Sequence, residues 1–288
     1  MKESERKYDL APLWEAILEV YKEFDRICQK YRLRHFAIGG TIIGAVRHQG
    51  FIPWDDDLDL AIPVEDFERF CDVAKHELPH YLKLVTWQNT KGYENLFAKI
   101  VDLRHDKLSE LRNATNLPIG QGVFIDLFLL TGVPVGVKYF TEILFPTWVL
   151  SLRKSYSTFG FRWSSPIVII KSFLGCIVSG CKRRQMSDNA YAEQRWAIAG
   201  RFKCAGSKRV GVYYGMSNLA YFFVVPTISF AASVRVPFRD TTMPLCVGFD
   251  EVVRAEYPDY LELPPPEKRI LLHVKQSDAP WFDRNNDK

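Results

Sequence analysis

The sequence has no paired CxxC, no run of about 20 apolar residues, no Lys/Arg tract long enough to mark a nucleic-acid surface, and no internal repeat or low-complexity segment. Each absence removes a class of protein. Six cysteines, at positions 28, 71, 176, 181, 204 and 246, stand without paired spacing. That argues against a zinc site or a small disulfide scaffold and predicts a reducing compartment. Neither charge sign dominates: Lys+Arg 38 against Asp+Glu 34 leaves +4, which permits an anionic partner and predicts no nucleic acid. The opening residues, MKESERKYDLAPLW, are charged and lack the apolar stretch and small-residue cleavage site of a signal peptide, so a cytoplasmic protein is expected. Pro166 to Gly180 comes closest to a membrane span, but it is too short and carries Lys171. Followed by Cys181, Lys182, Arg183 and Arg184, it reads either as a core helix with a solvated end or as a peripheral segment at the inner face of the cytoplasmic membrane.

What is present is the material of a folded protein. Hydrophobic residues make up 47% and charged ones 25% of 288 residues, enough for one large or two ordinary domains at about 150 residues each. From Pro12 to Tyr31, apolar residues recur at three- and four-residue steps and predict an amphipathic helix. Phe36 to Ile38 reads as a short strand; Gly39-Gly40 turns the chain, and Thr41 is the expected N-cap of a second helix. Asp57 to Ile62 alternates acid and aliphatic like a strand with one polar face, Val64 to Leu78 is helical in spacing, and Tyr81 to Thr86 and Leu96 to Val101 read as further strands. Gly122 to Leu130 is an apolar strand broken only by Asp126. After the Gly132 to Gly136 loop the segments become longer and more aromatic, with helices expected over Tyr139 to Leu152 and Ile167 to Val178 and strand and turn over Tyr221 to Val234. The expected class is α+β, with a core over 1–135 and a helical and C-terminal part over 136–288 that completes the site.

Chemistry concentrates in Gly39-Gly40 and in Trp54-Asp55-Asp56-Asp57-Leu58-Asp59. Carboxylates this dense repel one another, and a hard divalent ion resolves the repulsion; i, i+2 spacing on a strand puts Asp57 and Asp59 on one face. A solvated acidic turn is the bland alternative. Asp126 in an apolar strand needs a partner, either the same metal or a buried cation such as Lys99. Gly39-Gly40 before Thr41 suits a phosphate approaching backbone N–H groups at a helix start, and Arg47 could meet it as a fork.

These parts suit metal-assisted transfer at phosphorus, and GGTIIGAVRHQGFIPWDDDLDLAI resembles the signature of the LicD family of phosphotransferases in the nucleotidyltransferase superfamily, together with fukutin-related proteins. The resemblance continues through Phe97-Ala98-Lys99, GVFIDLF around Asp126, and a C-terminal block with Pro237-Phe238, Phe249-Asp250, Tyr257-Pro258-Asp259-Tyr260, Leu263-Pro264-Pro265 and His273. Pro258 stands where the family commonly has glycine. The resemblance implies a small mixed sheet flanked by helices. It also implies Asp57, Asp59 and Asp126 as catalytic metal ligands for Mg²⁺ or Mn²⁺, and Gly39, Gly40, Thr41, Arg47 and Lys99 as nucleotide and phosphate contacts. The implied reaction moves a phosphorylated small alcohol, such as phosphocholine or a polyol phosphate, from a CDP-linked donor to a hydroxyl of a cell-surface glycan or its lipid-linked precursor.

Trp54 reads either as an aromatic wall for the donor head group or acceptor, or as a core plug behind Pro53. His273 would take the acceptor's proton if the C-terminal block folds back over the sheet. Other readings are a nucleotidyltransferase acting on another NTP or a sugar, and a non-catalytic membrane-surface module. A sugar-nucleotide glycosyltransferase needs more chain before its Asp-x-Asp motif than this sequence has, and an aspartyl phosphatase would favour Thr or Val where Ala61 stands.

Overall fold

The structure, a computed structural model, describes residues 10–93, 95–104, 123–180, 186–214 and 220–269. It is α+β and divides into two compact units. The first takes the described residues of 1–85, 97–129 and 228–288, and the second those of 86–96 and 130–227.

In the first unit, helix α1 (Ala11–Tyr31) buries the predicted face, with Leu13, Ile17, Phe24 and Ile27 almost fully covered. Pro12 sits in its first turn, where a missing N–H costs nothing. Strand β1 (Phe36–Ala37) leads into helix α2 (Gly39–His48), which starts two residues earlier than expected. Gly39 adopts φ +53°, open to glycine at little cost, so the chain turns straight from strand to helix. Thr41 therefore caps nothing. Its hydroxyl instead accepts the backbone N–H of Asp59 at 2.8 Å, tying α2 to the next strand.

That strand, β2, covers Asp59–Pro63, so Asp57 lies in the irregular segment before it rather than on its pleat. Helix α3 (Val64–Glu77) follows, then β3 (Leu82–Val85), β4 (Ala98–Asp102) and β5 (Val123–Gly132). The strand order is β1-β2-β5-β4-β3, with β1–β2, β3–β4 and β4–β5 antiparallel. Chain-distant β2 and β5 thus become neighbours, and the N–H of Asp126 donates to the Leu58 carbonyl at 3.0 Å. A hairpin of β8 (Ser233–Phe238) and β9 (Thr241–Cys246) completes this unit. It is held by Tyr21, whose hydroxyl donates to the Thr242 carbonyl, and by edge-to-face rings of Phe51 and Phe238. A short helix, α7 (Phe249–Arg254), precedes the C-terminal block.

The second unit uses the end of β5, against which β6 (Arg209–Tyr213) pairs, followed by β7 (Tyr221–Pro226), both antiparallel. A helical stretch from Val137 passes through a π-helical segment, Phe140–Leu144, into α4 (Phe145–Phe159); α5 (Pro166–Val178) and α6 (Asp188–Ala199) follow. Residues 86–96 join this unit through Asn189, whose side chain donates to the carbonyls of Trp87 (2.6 Å) and Thr90 (2.8 Å) and accepts from Gly92 N–H (2.8 Å). Helix α5 does not behave as a core helix. Ile167, Ile170, Phe173 and Ile177 are exposed, while Ser172 and Gly175 are its buried residues. No helix among the described residues is long and apolar enough to cross a membrane.

Candidate metal and phosphate site

The acids converge in the first unit. Asp55, Asp56 and Asp57 each bring a carboxylate oxygen within 4.8 Å of the others. Asp56 is fully buried, whereas Asp55, Asp57 and Asp59 keep partial contact with solvent. The turn holding them is fixed by the Asp55 N–H donating to Ile52 and by the Trp14 indole N–H donating to the Asp55 carbonyl at 2.8 Å. Their electrostatics are adverse. Burial, then Asp57, Asp126 and Asp55, push the Asp59 carboxyl well above the usual carboxylate range, with Lys99 acting the other way. Burial, then Asp57 and Asp56, do the same to Asp55. Both prefer a proton unless some other positive charge arrives.

Asp126 is treated differently. It is the cross-strand partner of Lys99, whose ammonium lies 2.5 Å from its Oδ1 and 3.4 Å from the centre of the Phe124 ring. Asp126 is therefore ion-paired with Lys99, and it also lies within electrostatic reach of Asp59. Removing Lys99 would leave a buried charge uncompensated, at a cost of about 3–5 kcal/mol.

The glycine pair borders the acids. A Cβ on Gly40 would fall 2.7 Å from Asp55 Oδ2, and one on Gly39 would lie 3.8 Å from Asp59 Oδ2. The space a side chain would fill at Gly40 is thus taken by a carboxylate. A hard divalent cation suits this all-oxygen, negative donor set, and Asp55, Asp56 and Asp57 are the group able to hold it among the described residues.

Arg47 extends toward the C-terminal block, donating to the carbonyls of Tyr260 (3.0 Å) and Glu262 (3.3 Å). Its Nη2 is buried and has no hydrogen-bond partner among the described residues. Arg269 is near enough to disfavour the Arg47 charge, second only to burial. The Arg269 guanidinium also sits 5.5 Å from the centre of the Trp54 ring. Trp54 is half-buried with a cation over its face. Tyr257 belongs to the same neighbourhood: burial, then Glu256, Asp59, Asp55 and Asp57, raise its hydroxyl to about 12. His273 lies outside the described residues.

Sequence reasoning singled out Asp57, Asp59, Asp126, the glycine pair, Thr41, Arg47, Lys99 and Trp54. The structure gathers these in one unit, with Thr41 holding the Asp59 backbone and Lys99 engaged with Asp126. It adds Asp55 and Asp56 as donors beside Asp57, and Tyr257 and Arg269 from the C-terminal block. Four aspartates in five positions were a signal for the first pair. Tyr257 and Arg269 had none beyond membership of a family-like block.

The first unit places acids on neighbouring strands beside a glycine turn at a helix start, and residues 32–114 match the family model described as LicD/FKTN/FKRP, nucleotidyltransferase domain. The chain is similar to the lipopolysaccharide cholinephosphotransferase LicD of Haemophilus influenzae, at 26% identity over 263 residues, covering 90% of this chain and 94% of that protein. Shorter matches link it to an uncharacterized protein of Rickettsia typhi, 36% identical over 69 residues (24% of this chain, 21% of that one), and to one of Rickettsia prowazekii, 41% identical over 51 residues (18% and 19%).

Proposed function

We propose that this protein transfers a phosphorylated small alcohol, phosphocholine or a polyol phosphate, from a CDP-linked donor to a hydroxyl of a cell-surface glycan or its lipid-linked precursor, with Mg²⁺ or Mn²⁺ as cofactor. The observation that carries the reading is the group of aspartates, Asp55 to Asp57 with Asp59, whose charges are unfavourable without a cation. The near full-length similarity to a cholinephosphotransferase supports the donor and acceptor class. In the reaction the acceptor oxygen forms a new bond to the phosphorus bearing the alcohol, the bond from that phosphorus to CMP breaks, and the acceptor's proton is released.

A divalent ion bound by these acids supplies neutralisation of the donor pyrophosphate. The chain's own groups do the rest. Arg47 places an unsatisfied guanidinium N–H, backed by the charge of Arg269, where an anionic donor is attracted. Gly40 makes room for the Asp55 carboxylate, and Gly39 leaves no side chain at the start of α2 to keep a phosphate from its backbone N–H groups. Lys99 fixes the position of Asp126 through their ion pair. Trp54 offers a partly exposed aromatic face beside the acids for a head group or sugar, and His273 is assigned to the acceptor side on the resemblance alone. The experiment is a donor screen with purified protein and Mg²⁺, comparing CDP-choline, CDP-glycerol and CDP-ribitol for CMP release. Release from one of these, abolished by chelation and by Asp59→Asn, supports the reading; release from none, with a nucleoside triphosphate or a sugar substrate consumed instead, replaces it with a nucleotidyltransferase of the other kind.

A further inference from the structure

Helix α5 is inside out. Its exposed stripe, Ile167, Ile170, Phe173 and Ile177, follows three- and four-residue steps along one face. Ser172 and Gly175, on the opposite face, pack toward α4, where a Cβ on Gly175 would fall 2.9 Å from the Leu152 carbonyl and from Tyr156 Cβ. A helix folding in water buries its large side chains and exposes its small polar ones. This one does the reverse, and its neighbours share the trait. The turn joining α4 to α5 exposes Phe161 and Trp163, whose rings lie 4.8 Å apart with their planes tilted by 49°, and Trp163 is 77% exposed. Contiguous apolar surface on this scale calls for a partner.

Charge says which. Between Ile143 and Ser187 there is no Asp or Glu, against seven Lys and Arg. The remainder of the chain, with 31 basic and 34 acidic residues, is net −3, so the whole positive excess of the protein resides in this one segment. Arg162 lies beside the exposed aromatics and Lys171 beside the α5 stripe, both themselves exposed. Large apolar side chains and tryptophan at the tip, in a stretch of sequence that carries cations and no acids, match an anionic bilayer surface and would repel few of its head groups. At 13 residues α5 is about 20 Å long, too short to span a bilayer but suited to lying in one leaflet.

We infer that the α4–α5 hairpin docks onto an anionic lipid bilayer through Trp163, Ile167, Ile170, Phe173 and Ile177, with Arg162 and Lys171 at the head groups. This surface lies wholly in the second unit and does not depend on the chemistry proposed for the first.

The test is flotation of the full chain with phosphatidylcholine vesicles, with and without phosphatidylglycerol, alongside size-exclusion chromatography without lipid. The wild type is expected to float with the phosphatidylglycerol vesicles. Ile170→Ser/Phe173→Ser should weaken that binding at least about tenfold, since burying each lost apolar group is worth about 0.8 kcal/mol per methylene. Both side chains are more than half exposed, so the variant is expected to keep the wild-type circular dichroism. Arg162→Gln/Lys171→Gln should reduce binding to the anionic vesicles and leave any residual binding to neutral ones unchanged. Absence of wild-type protein from the floated fraction, or equal flotation of the serine variant, overturns the inference. So does a lipid-free oligomer that the serine variant dissolves, because the face would then belong to a second copy of the chain.

Discussion

The first unit buries two sets of carboxylates and treats them oppositely. Asp25, on α1, is almost covered, yet Arg235 forms an ion pair with its Oδ2, His35 Nε2 lies 3.0 Å from its Oδ1, and Gln29 donates at 2.7 Å. Burial pushes the Asp25 carboxyl up, and the His35 and Arg235 contacts outweigh it, leaving the group below its ordinary value. Around Asp55 and Asp59 the neighbours are other carboxylates, and both groups are driven upward. The same residue type is complemented in one place and left repulsive in the other. A fold selected for stability alone would not retain the second arrangement, which is the physical case for a cation and a phosphorylated ligand there.

The largest effect that sharpens this contrast is on turnover. Asp59→Asn is expected to reduce donor cleavage by at least about 100-fold, as loss of charge stabilisation at a phosphoryl centre does, while raising the metal-free melting temperature by a few degrees because repulsion is relieved. Measuring both on one preparation is decisive: a variant that is slow and also less stable would place Asp59 with the structural acids.

Next is the complemented set. Asp25→Asn leaves Arg235 without its counter-charge, and because that arginine is one-third exposed the expected loss is about 2–3 kcal/mol, or roughly 5–10 °C. Thermal unfolding followed by circular dichroism reads it. A change of less than about 1 °C would remove the distinction between the two sets.

The crowded side of this contrast was legible in the sequence, for local reasons, whereas Asp25 carried no sequence signal. Periodicity gave α1, and the isolated acid in an apolar strand marked Asp126. Asp55 to Asp59 announced themselves by crowding. Adjacency of β2 and β5 required an assumption about strand order, which periodicity does not encode. The start of α2 was misplaced because Gly39 takes a backbone conformation that cap rules for Thr41 do not anticipate. Tyr257 and Arg269 reach the site from about 200 residues away in sequence, as in the contact of Arg269 with the Trp54 ring. Hydropathy recognised α5 as apolar but could not say which of its faces would be covered.

pH offers a graded version of the comparison. Asp25 binds its proton more weakly folded than unfolded, so its stabilisation is present above the ordinary carboxylate range and is lost as pH falls through its folded value. Asp55 and Asp59 bind theirs more tightly when folded. Their contribution is full below the ordinary range and drains away as pH rises through the folded values. Metal-free protein should therefore gain stability as pH falls through the raised folded values of Asp55 and Asp59 toward the ordinary carboxylate range before losing it at lower pH, and Asp55→Asn/Asp59→Asn should flatten the upper limb alone. Urea midpoints across that range check the prediction.

The smallest expected effect concerns Arg47. Arg47→Ala removes a single donor toward the proposed phosphate, which should weaken CDP binding about tenfold, with little change in the melting temperature of the ligand-free protein. Calorimetric titration with CDP in the presence of Mg²⁺ measures it, and unchanged affinity would move the phosphate subsite away from α2.

The claim that the crowded aspartates are a cation site is tested most directly by the thermal shift of the full chain on adding Mg²⁺ with CDP at neutral pH, wild type against Asp59→Asn. Binding at a hundredfold excess over the dissociation constant adds about 2.7 kcal/mol, so the account predicts a rise of roughly 5–10 °C for the wild type and little for the variant. An equal rise in both proteins, or none in the wild type, contradicts it.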